Sequence, residues 1–103
     1  MSLPNLWEFP GGKIEKDELP QQALKREINE EFLCDIEVLE KVEDTTYDYD
    51  TFIVRLETYK AKLLNNEPVA QEHAETRWVK KSDLSKLTFA PADIPAVDKI
   101  MNE

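Results

Sequence analysis

Apolar and polar positions recur along this chain with two different periods, and the change of period marks its elements. Over residues 20–32 the apolar side chains Ala23, Leu24, Ile28 and Phe32 recur at helical spacing, so an amphipathic helix is expected there. Pro20 suits its first turn, where the N–H that proline lacks would have no helical partner. Period two then takes over. Ile36, Val38, Glu40 and Val42 predict a strand over 36–42 whose pattern slips, as a bulge would make it. Residues 51–63 give the clearest strand, with Phe52, Val54, Leu56 and Thr58 alternating against Ile53, Arg55, Glu57 and Tyr59. Near its end the apolar phase changes sides. Residues 45–50, polar and rich in Tyr and Asp, read as a loop. Shorter signals complete the pattern: a strand at 7–9, a turn at Pro10-Gly11-Gly12, a turn at 65–68, an acidic loop at 69–75 and a strand at 76–79. A brief helical turn is expected at 82–84. A last helix is expected from Asp93 and Pro95 to about Met101, with Ile94, Val97, Ile100 and Met101 facing inward. Strands with two main helices predict a single α/β domain over 1–103, a sandwich around a mixed sheet.

The first helix carries candidate chemistry. Glu27, Glu30 and Glu31 fall at i, i+3 and i+4, so their carboxylates share one face. Like charges so placed repel by roughly 0.2–0.5 kcal/mol per pair on an isolated helix. Acidic helix runs are ordinarily solvated faces. Here the run sits in a longer order: Gly12, five residues, Glu18, seven residues, Arg26-Glu27, Ile28, one residue, Glu30-Glu31. A chance match to all of it is on the order of one in 10⁷ or rarer per window. A cation set against the face resolves the repulsion. Hard divalent ions take oxygen ligands and commonly hold substrate phosphates as well. The face reads as a metal platform for phosphate chemistry.

Composition narrows the classes. The 103 residues suffice for one small domain. No apolar run approaches membrane-spanning length and no signal-peptide pattern opens the chain. Cys34 is the single cysteine, so no internal disulfide forms, and a reducing cytoplasm is the expected compartment. No Cys/His cluster suits zinc. A net charge of −9 argues against nucleic acid and anionic membranes as partners.

The motif resembles the Nudix box, and the chain is similar to the MutT-type Nudix hydrolases. The stretch Leu6-Trp7-Glu8-Phe9-Pro10-Gly11-Gly12-Lys13 is similar to that group's approach to the box, here residues 12–34. Pro91-Ala92-Asp93-Ile94-Pro95 is a second match, and Glu72-His73 and Trp78-Val79 stand where the group has an acidic loop and a following strand. The resemblance implies an α/β/α sandwich around a mixed sheet. It also implies a hydrolase that cleaves a nucleoside triphosphate to the monophosphate and pyrophosphate, clearing oxidised or unwanted nucleotides from the pool. Mg²⁺ or Mn²⁺ is the implied cofactor. That ion also explains how so acidic a protein would take a polyanionic substrate. Glu27, Glu30 and Glu31 match the family's metal ligands, with the Gly11 carbonyl completing the set. Arg26 is expected to hold those carboxylates, folding back toward Glu18 or forward to Glu30. Glu72 stands where some members carry a further ligand or base, with Glu75 as its neighbour and rival. Lys13 reads either as a phosphate contact or as a plain exposed lysine. Phe9 reads as a stacking partner for the base or as core. Asp93 reads as an acceptor for the base, as in the branch acting on cytosine and oxidised guanine nucleotides, or as the N-cap of the last helix. His73 reads as an ordinary surface residue.

The chain departs from the pattern at two helix ends, and its start is short. Leu33 stands where the box has glycine; its steric penalty for positive φ predicts that the helix ends in another way. Leu19 stands where a capping side chain belongs, with Asp17 a substitute. The family has a long strand and hairpin ahead of Leu6, where this chain has Met1 to Asn5. The resemblance thus implies an N-terminally truncated domain lacking its first strand region and a basic phosphate contact. The alternative is a short native form that completes its sheet with another chain. An unpaired sheet edge would favour self-association. Rival functions are a non-catalytic nucleotide-binding or regulatory module on the same scaffold, and a base-recognition module of a repair protein. The intact glutamate set argues against the first, and the charge of −9 with the complete motif argues against the second.

Overall fold

The computed structural model describes residues 6–65, 67–69 and 76–103. In chain order it forms helix α1 (Pro20–Phe32), strands β1 (Ile36–Asp48) and β2 (Ile53–Leu63), 3-10 helices at Lys81–Lys86 and Pro91–Asp93, and helix α2 (Ile94–Met101). β1 and β2 pair as a two-stranded hairpin. The residues group into two compact units: Met1–Phe9, Lys41–Tyr59 and Trp78–Glu103 in the first, Pro10–Glu40 and Lys60–Arg77 in the second. Among the described residues no helix is long and apolar enough to cross a membrane.

The second unit is built on α1, which has the bounds its apolar spacing predicts. Leu19 precedes a proline and is extended, with φ −76° and ψ 152°, as the ring of Pro20 requires. Neither Leu19 nor Asp17 caps the helix through its side chain. The Gln22 side chain reaches back instead and accepts the Leu19 N–H at 2.9 Å. Ile28 and Phe32 pack with Cys34 and Ile36, and Leu24 and Val38 cover that cluster. Burial holds the Cys34 thiol above its ordinary pKa, consistent with a packing role.

The end of α1 corrects an expectation. Leu33 does adopt the left-handed conformation, with φ 53° and ψ 37°. Hydrogen bonds outweigh the steric penalty. Leu33 N–H donates to Asn29 at 3.0 Å, and the Phe32 carbonyl receives the Val69 N–H at 2.8 Å. Just beyond, Leu64 N–H donates to the Asp35 carbonyl at 3.0 Å. The Asp35 carboxylate collects the side-chain amides of Asn29 and Asn65 at 2.9 and 3.0 Å. The bonds to Asn29 and Phe32 satisfy carbonyls that a helix end otherwise leaves open.

The first unit packs Leu84, Phe89 and Val97 together, covered by Trp7, Phe9, Val79, Leu87 and Ile100. Ala96 and Val97 form the buried side of α2. Ile94 and Met101, expected inside, are exposed, because the helix turns Ala96 and not its ends toward the core. The expected strand at 7–9 is a single parallel bridge between Trp7 and Phe89. It goes no further because the Phe9 N–H donates to the Asp93 carboxylate at 3.3 Å, and Pro10 has no N–H to offer. No strand forms at 76–79 among the described residues.

The hairpin also differs from expectation. β1 continues through residues 45–48, which were expected in a loop. Thr45, Thr46 and Tyr47 are good strand formers, and nearby cross-strand pairs fix the ribbon. Lys41 meets Glu57 at 2.9 Å and Arg55 meets Asp44 at 2.8 Å. The turn closes through Tyr49 N–H to the Phe52 carbonyl at 2.9 Å.

Replacing Leu33 with glycine tests the left-handed cap. Removing a penalty of about 1–2 kcal/mol, less the added chain entropy of glycine, should raise stability by about 0.5–1 kcal/mol. Leu33 is 52% exposed, so little packing is lost. The urea midpoint should rise at constant slope. A midpoint that falls would show that the leucine side chain matters more than its backbone strain.

Candidate active site

The carboxylate face of α1 is organised by one guanidinium. Arg26 Nε donates to Glu18 at 2.8 Å and its NH2 donates to the other Glu18 oxygen at 3.0 Å. NH2 also donates to the Lys13 carbonyl at 2.9 Å. NH1 donates to Glu27 at 2.9 Å and to Glu30 at 3.4 Å. These contacts match the five N–H groups that an arginine side chain possesses. Glu15 adds an ion pair at 3.7 Å. Arginine suits this position because its planar fork takes one carboxylate by two parallel bonds and still presents a third nitrogen.

The electrostatics follow from that network. The Arg26 guanidinium and the Glu15 backbone N–H hold the Glu18 carboxyl well below its ordinary range, at about 2. Arg26 is held further into its charged form by Glu18 and Glu27. Glu27 is 16% exposed at the side chain and Glu30 59%. Both nonetheless converge on the same nitrogen, so they lie on one side of the helix as their spacing predicts. Glu31 is half-buried.

The glycine pair is shaped to this face. Gly11 has φ 155°, which side chains rarely adopt. A Cβ on Gly12 would collide with the Glu27 carboxylate group. Lys13 is exposed, and its backbone carbonyl is tied to Arg26. Residues 11–13, Glu18 and the face of α1 thus form one connected arrangement.

Could these residues hold a divalent ion? Their donors are hard oxygens, the right kind for Mg²⁺ or Mn²⁺. Glu27 and Glu30 already converge on a cation, the guanidinium. Among the described residues no three Asp, Glu, His or Cys side chains are gathered as a ready metal cluster. The donor set fits; its present arrangement is set by Arg26. Glu72, its neighbour His73 and its rival Glu75 lie outside the described residues.

A family model described as the NUDIX domain matches residues 2–99. The chain belongs to the Nudix family. It is 35% identical over 96 residues to an 8-oxo-dGTP diphosphatase of Haemophilus influenzae, covering 93% of this chain and 71% of that one. It is 34% identical to a CTP pyrophosphohydrolase of Escherichia coli, with the same shares covered. A solution structure of a MutT protein from methicillin-resistant Staphylococcus aureus 252, a Nudix hydrolase, matches with a TM-score of 0.80 at 54% identity, covering 99% of this chain and 78% of that one. The mixed helix–strand fold is the one the resemblance implied, and this Nudix chain is a hydrolase.

The first unit of the Nudix chain holds the other candidates. Asp93 is 4% exposed. It occupies the N-cap position of α2, yet its side chain makes no capping bond. It accepts the Phe9 N–H instead. Burial raises its pKa to about 6, opposed by that N–H and helped by the charge of Glu8. Glu8 itself is raised by burial. Phe9 lies against Phe89, ring centres 5.3 Å apart, and belongs to the core of its unit. Tyr49 is not among the candidates expected from the sequence, yet its hydroxyl accepts the Ala92 N–H at 2.9 Å. The aromatic residues Tyr47, Tyr49 and Phe52 at spacings of two and three were the available signal.

The Asp93 shift sets a sign for pH dependence. The folded carboxyl, at about 6, binds its proton more tightly than in the unfolded chain, near 3.8. Folding stability from this group is therefore full below about pH 4 and is lost as pH rises toward 6. Glu18 acts oppositely in a lower window, its contribution fading as pH falls from 4.5 toward 2. Subtracting the pH–stability curve of Asp93→Asn from that of the parent should isolate a decline of ~1–3 kcal/mol between pH 4 and 6. Parallel curves would show that Asp93 is solvated.

Proposed function

We propose that this Nudix hydrolase is a divalent-metal-dependent nucleoside triphosphate pyrophosphohydrolase. It acts on oxidised guanine or cytosine nucleotides and releases the monophosphate and pyrophosphate, which clears the nucleotide pool. The observation that carries this is the convergence of Glu27 and Glu30 on one guanidinium nitrogen, in a chain whose relatives are named as an 8-oxo-dGTP diphosphatase and a CTP pyrophosphohydrolase.

In this reading Glu27, Glu30 and Glu31, with the Gly11 carbonyl, hold Mg²⁺ or Mn²⁺. Such an ion, when bound, neutralises phosphate charge and acidifies water. Arg26 aims Glu27 and Glu30 through one nitrogen, while its fork on Glu18 fixes its own position. Gly12 leaves the room that the Glu27 carboxylate occupies. Lys13 places a positive charge for the phosphates. Glu72 is the proposed further ligand or base. Asp93, ionised above about pH 6, accepts from an exocyclic amino group or a ring N–H. Cytosine offers the first and 8-oxoguanine the second. Phe9 gives Asp93 its backbone N–H.

The deciding assay measures pyrophosphate release from canonical and oxidised triphosphates over a Mg²⁺ titration. Glu30→Gln keeps size and removes charge, so it should lower kcat by ~10³-fold or more. Turnover that is unchanged at saturating Mg²⁺ would refute the metal role. Gly12→Ala gives a second, independent reading. The flexible Glu27 side chain can swing away from the new Cβ, so stability should change by less than ~1 kcal/mol. Its carboxylate then leaves Arg26, and kcat/KM should fall by ~10–100-fold. Full activity in a folded Gly12→Ala protein would separate Glu27 from catalysis.

A further inference from the structure

The turn that carries Asp93 is held from two directions. From one, Trp7 donates to the Thr88 carbonyl and accepts from Ala90, both at 2.9 Å, and Phe9 N–H reaches the Asp93 carboxylate. From the other, the Ala92 N–H donates to the phenolic oxygen of Tyr49 at 2.9 Å. Ala92 is 4% exposed, so water is a poor substitute for that acceptor. Tyr49 is itself fixed. Its N–H closes the hairpin turn onto Phe52, its ring stacks on Phe52 at 5.1 Å, and Tyr47 lies 4.6 Å away.

We infer that Tyr49 is a positioning residue for base selection: its hydroxyl, through the Ala92 N–H, fixes the Pro91–Asp93 turn and so aims the Asp93 carboxylate. The inference rests on the reading of Asp93 as the base acceptor. A 3-10 turn of three residues has little stability of its own. Without the hydroxyl, the buried Ala92 N–H must find another acceptor, and the turn shifts to supply one. Asp93 is the next residue and shifts with it. A misplacement of about 1 Å can cost ~10²-fold where geometry decides. Discrimination at Asp93 depends on such geometry, because the penalty for a mismatched base is a buried carboxylate left with the Phe9 N–H and no donor from the base.

The test compares the parent chain, Tyr49→Phe, Asp93→Asn and the double variant, with CTP and 8-oxo-dGTP as substrates in Mg²⁺. Tyr49→Phe should raise KM for the preferred nucleotide by ~10-fold, leave kcat within ~3-fold, and shift the preference between the two substrates by ~5–10-fold. The double variant should shift it little beyond Asp93→Asn, since both changes act on one contact. If Asp93→Asn alters the ranking while Tyr49→Phe leaves KM and ranking untouched, the inference is overturned and the reading of Asp93 survives. If Asp93→Asn leaves the ranking untouched, both fall. A Tyr49→Phe protein that only melts earlier, with unchanged KM, makes Tyr49 structural and also overturns it. Should Tyr49→Phe fail to fold, the parent protein decides by NMR. The Ala92 amide resonance should move on titration with CMP and stay in place with ribose 5-phosphate. Equal responses to the two would overturn the proposal.

Discussion

The Arg26 guanidinium is the interaction on which the rest of the candidate site depends. A chain of net charge −9 places Glu15, Glu18, Glu27 and Glu30 around one point, and only a cation there makes the grouping tolerable. Arg26 does more than neutralise. Its fork on Glu18 and its bond to the Lys13 carbonyl pin the segment after the glycine pair to α1. Its remaining nitrogen gathers the two glutamates of the helix face. A lysine would offer a point charge in the same place, with no fixed plane to set four partners in relation to one another. The position of Glu27 then dictates the residue at 12, because the carboxylate fills the space a side chain would need. One side chain thus accounts for the acid at 18, the glycine at 12 and the orientation of the helix face.

The two units set their carboxylates in opposite ways. In the second, a guanidinium holds Glu18 at about 2, so it stays ionised under any ordinary condition. In the first, burial holds Asp93 at about 6, close to the point of taking a proton. Both are ionised at neutral pH, yet the physical demands differ. A carboxylate gripped by a guanidinium gives up its proton readily. An acid that chooses between bases gains selectivity from a dry environment, where an unmatched carboxylate is costly. The unpaired-charge penalty that makes Asp93 a burden on folding is the same quantity that would make it selective.

Much of this was legible in the sequence wherever the cause is local. The bounds of α1 follow from its apolar spacing and Pro20. The links from Arg26 to Glu30 and back to Glu18 follow from helix geometry and motif order. The bond from Arg26 to the adjacent Glu27 does not, because neighbours on a helix do not ordinarily face each other. Residues 45–48 were hidden because the polar run 45–50, rich in Tyr and Asp, suggested a loop, while the pair beside them at Asp44 comes from Arg55 of β2. The partner of Asp93 is 84 positions away, and that of Ala92 is 43. No local pattern encodes such contacts. The helix position of Asp93 was readable, but the direction of its side chain was decided by a distant backbone N–H.

Leu33 shows the same competition from the side of strain. The chain has two glycines, adjacent at 11 and 12. Both stand where the site leaves no freedom: one in a backbone conformation that side chains avoid, the other against the Glu27 carboxylate. Left-handed positions elsewhere must be filled by other residues, and among the described residues these are Asp17, Leu33 and Asp50. Aspartate is the natural substitute, since its short side chain can bond to nearby backbone. In the hairpin turn a neighbouring aspartate supports Asp50, with the Asp48 side chain accepting the Asp50 N–H at 2.7 Å. Leu33 has no such device. It is held by the bonds around it, which satisfy the last carbonyls of α1 only if the chain reverses there. The strain therefore sits just after the helix that bears the glutamates, and it is tolerated because stopping α1 at that residue closes the cluster of Ile28, Phe32, Cys34 and Ile36 beneath them.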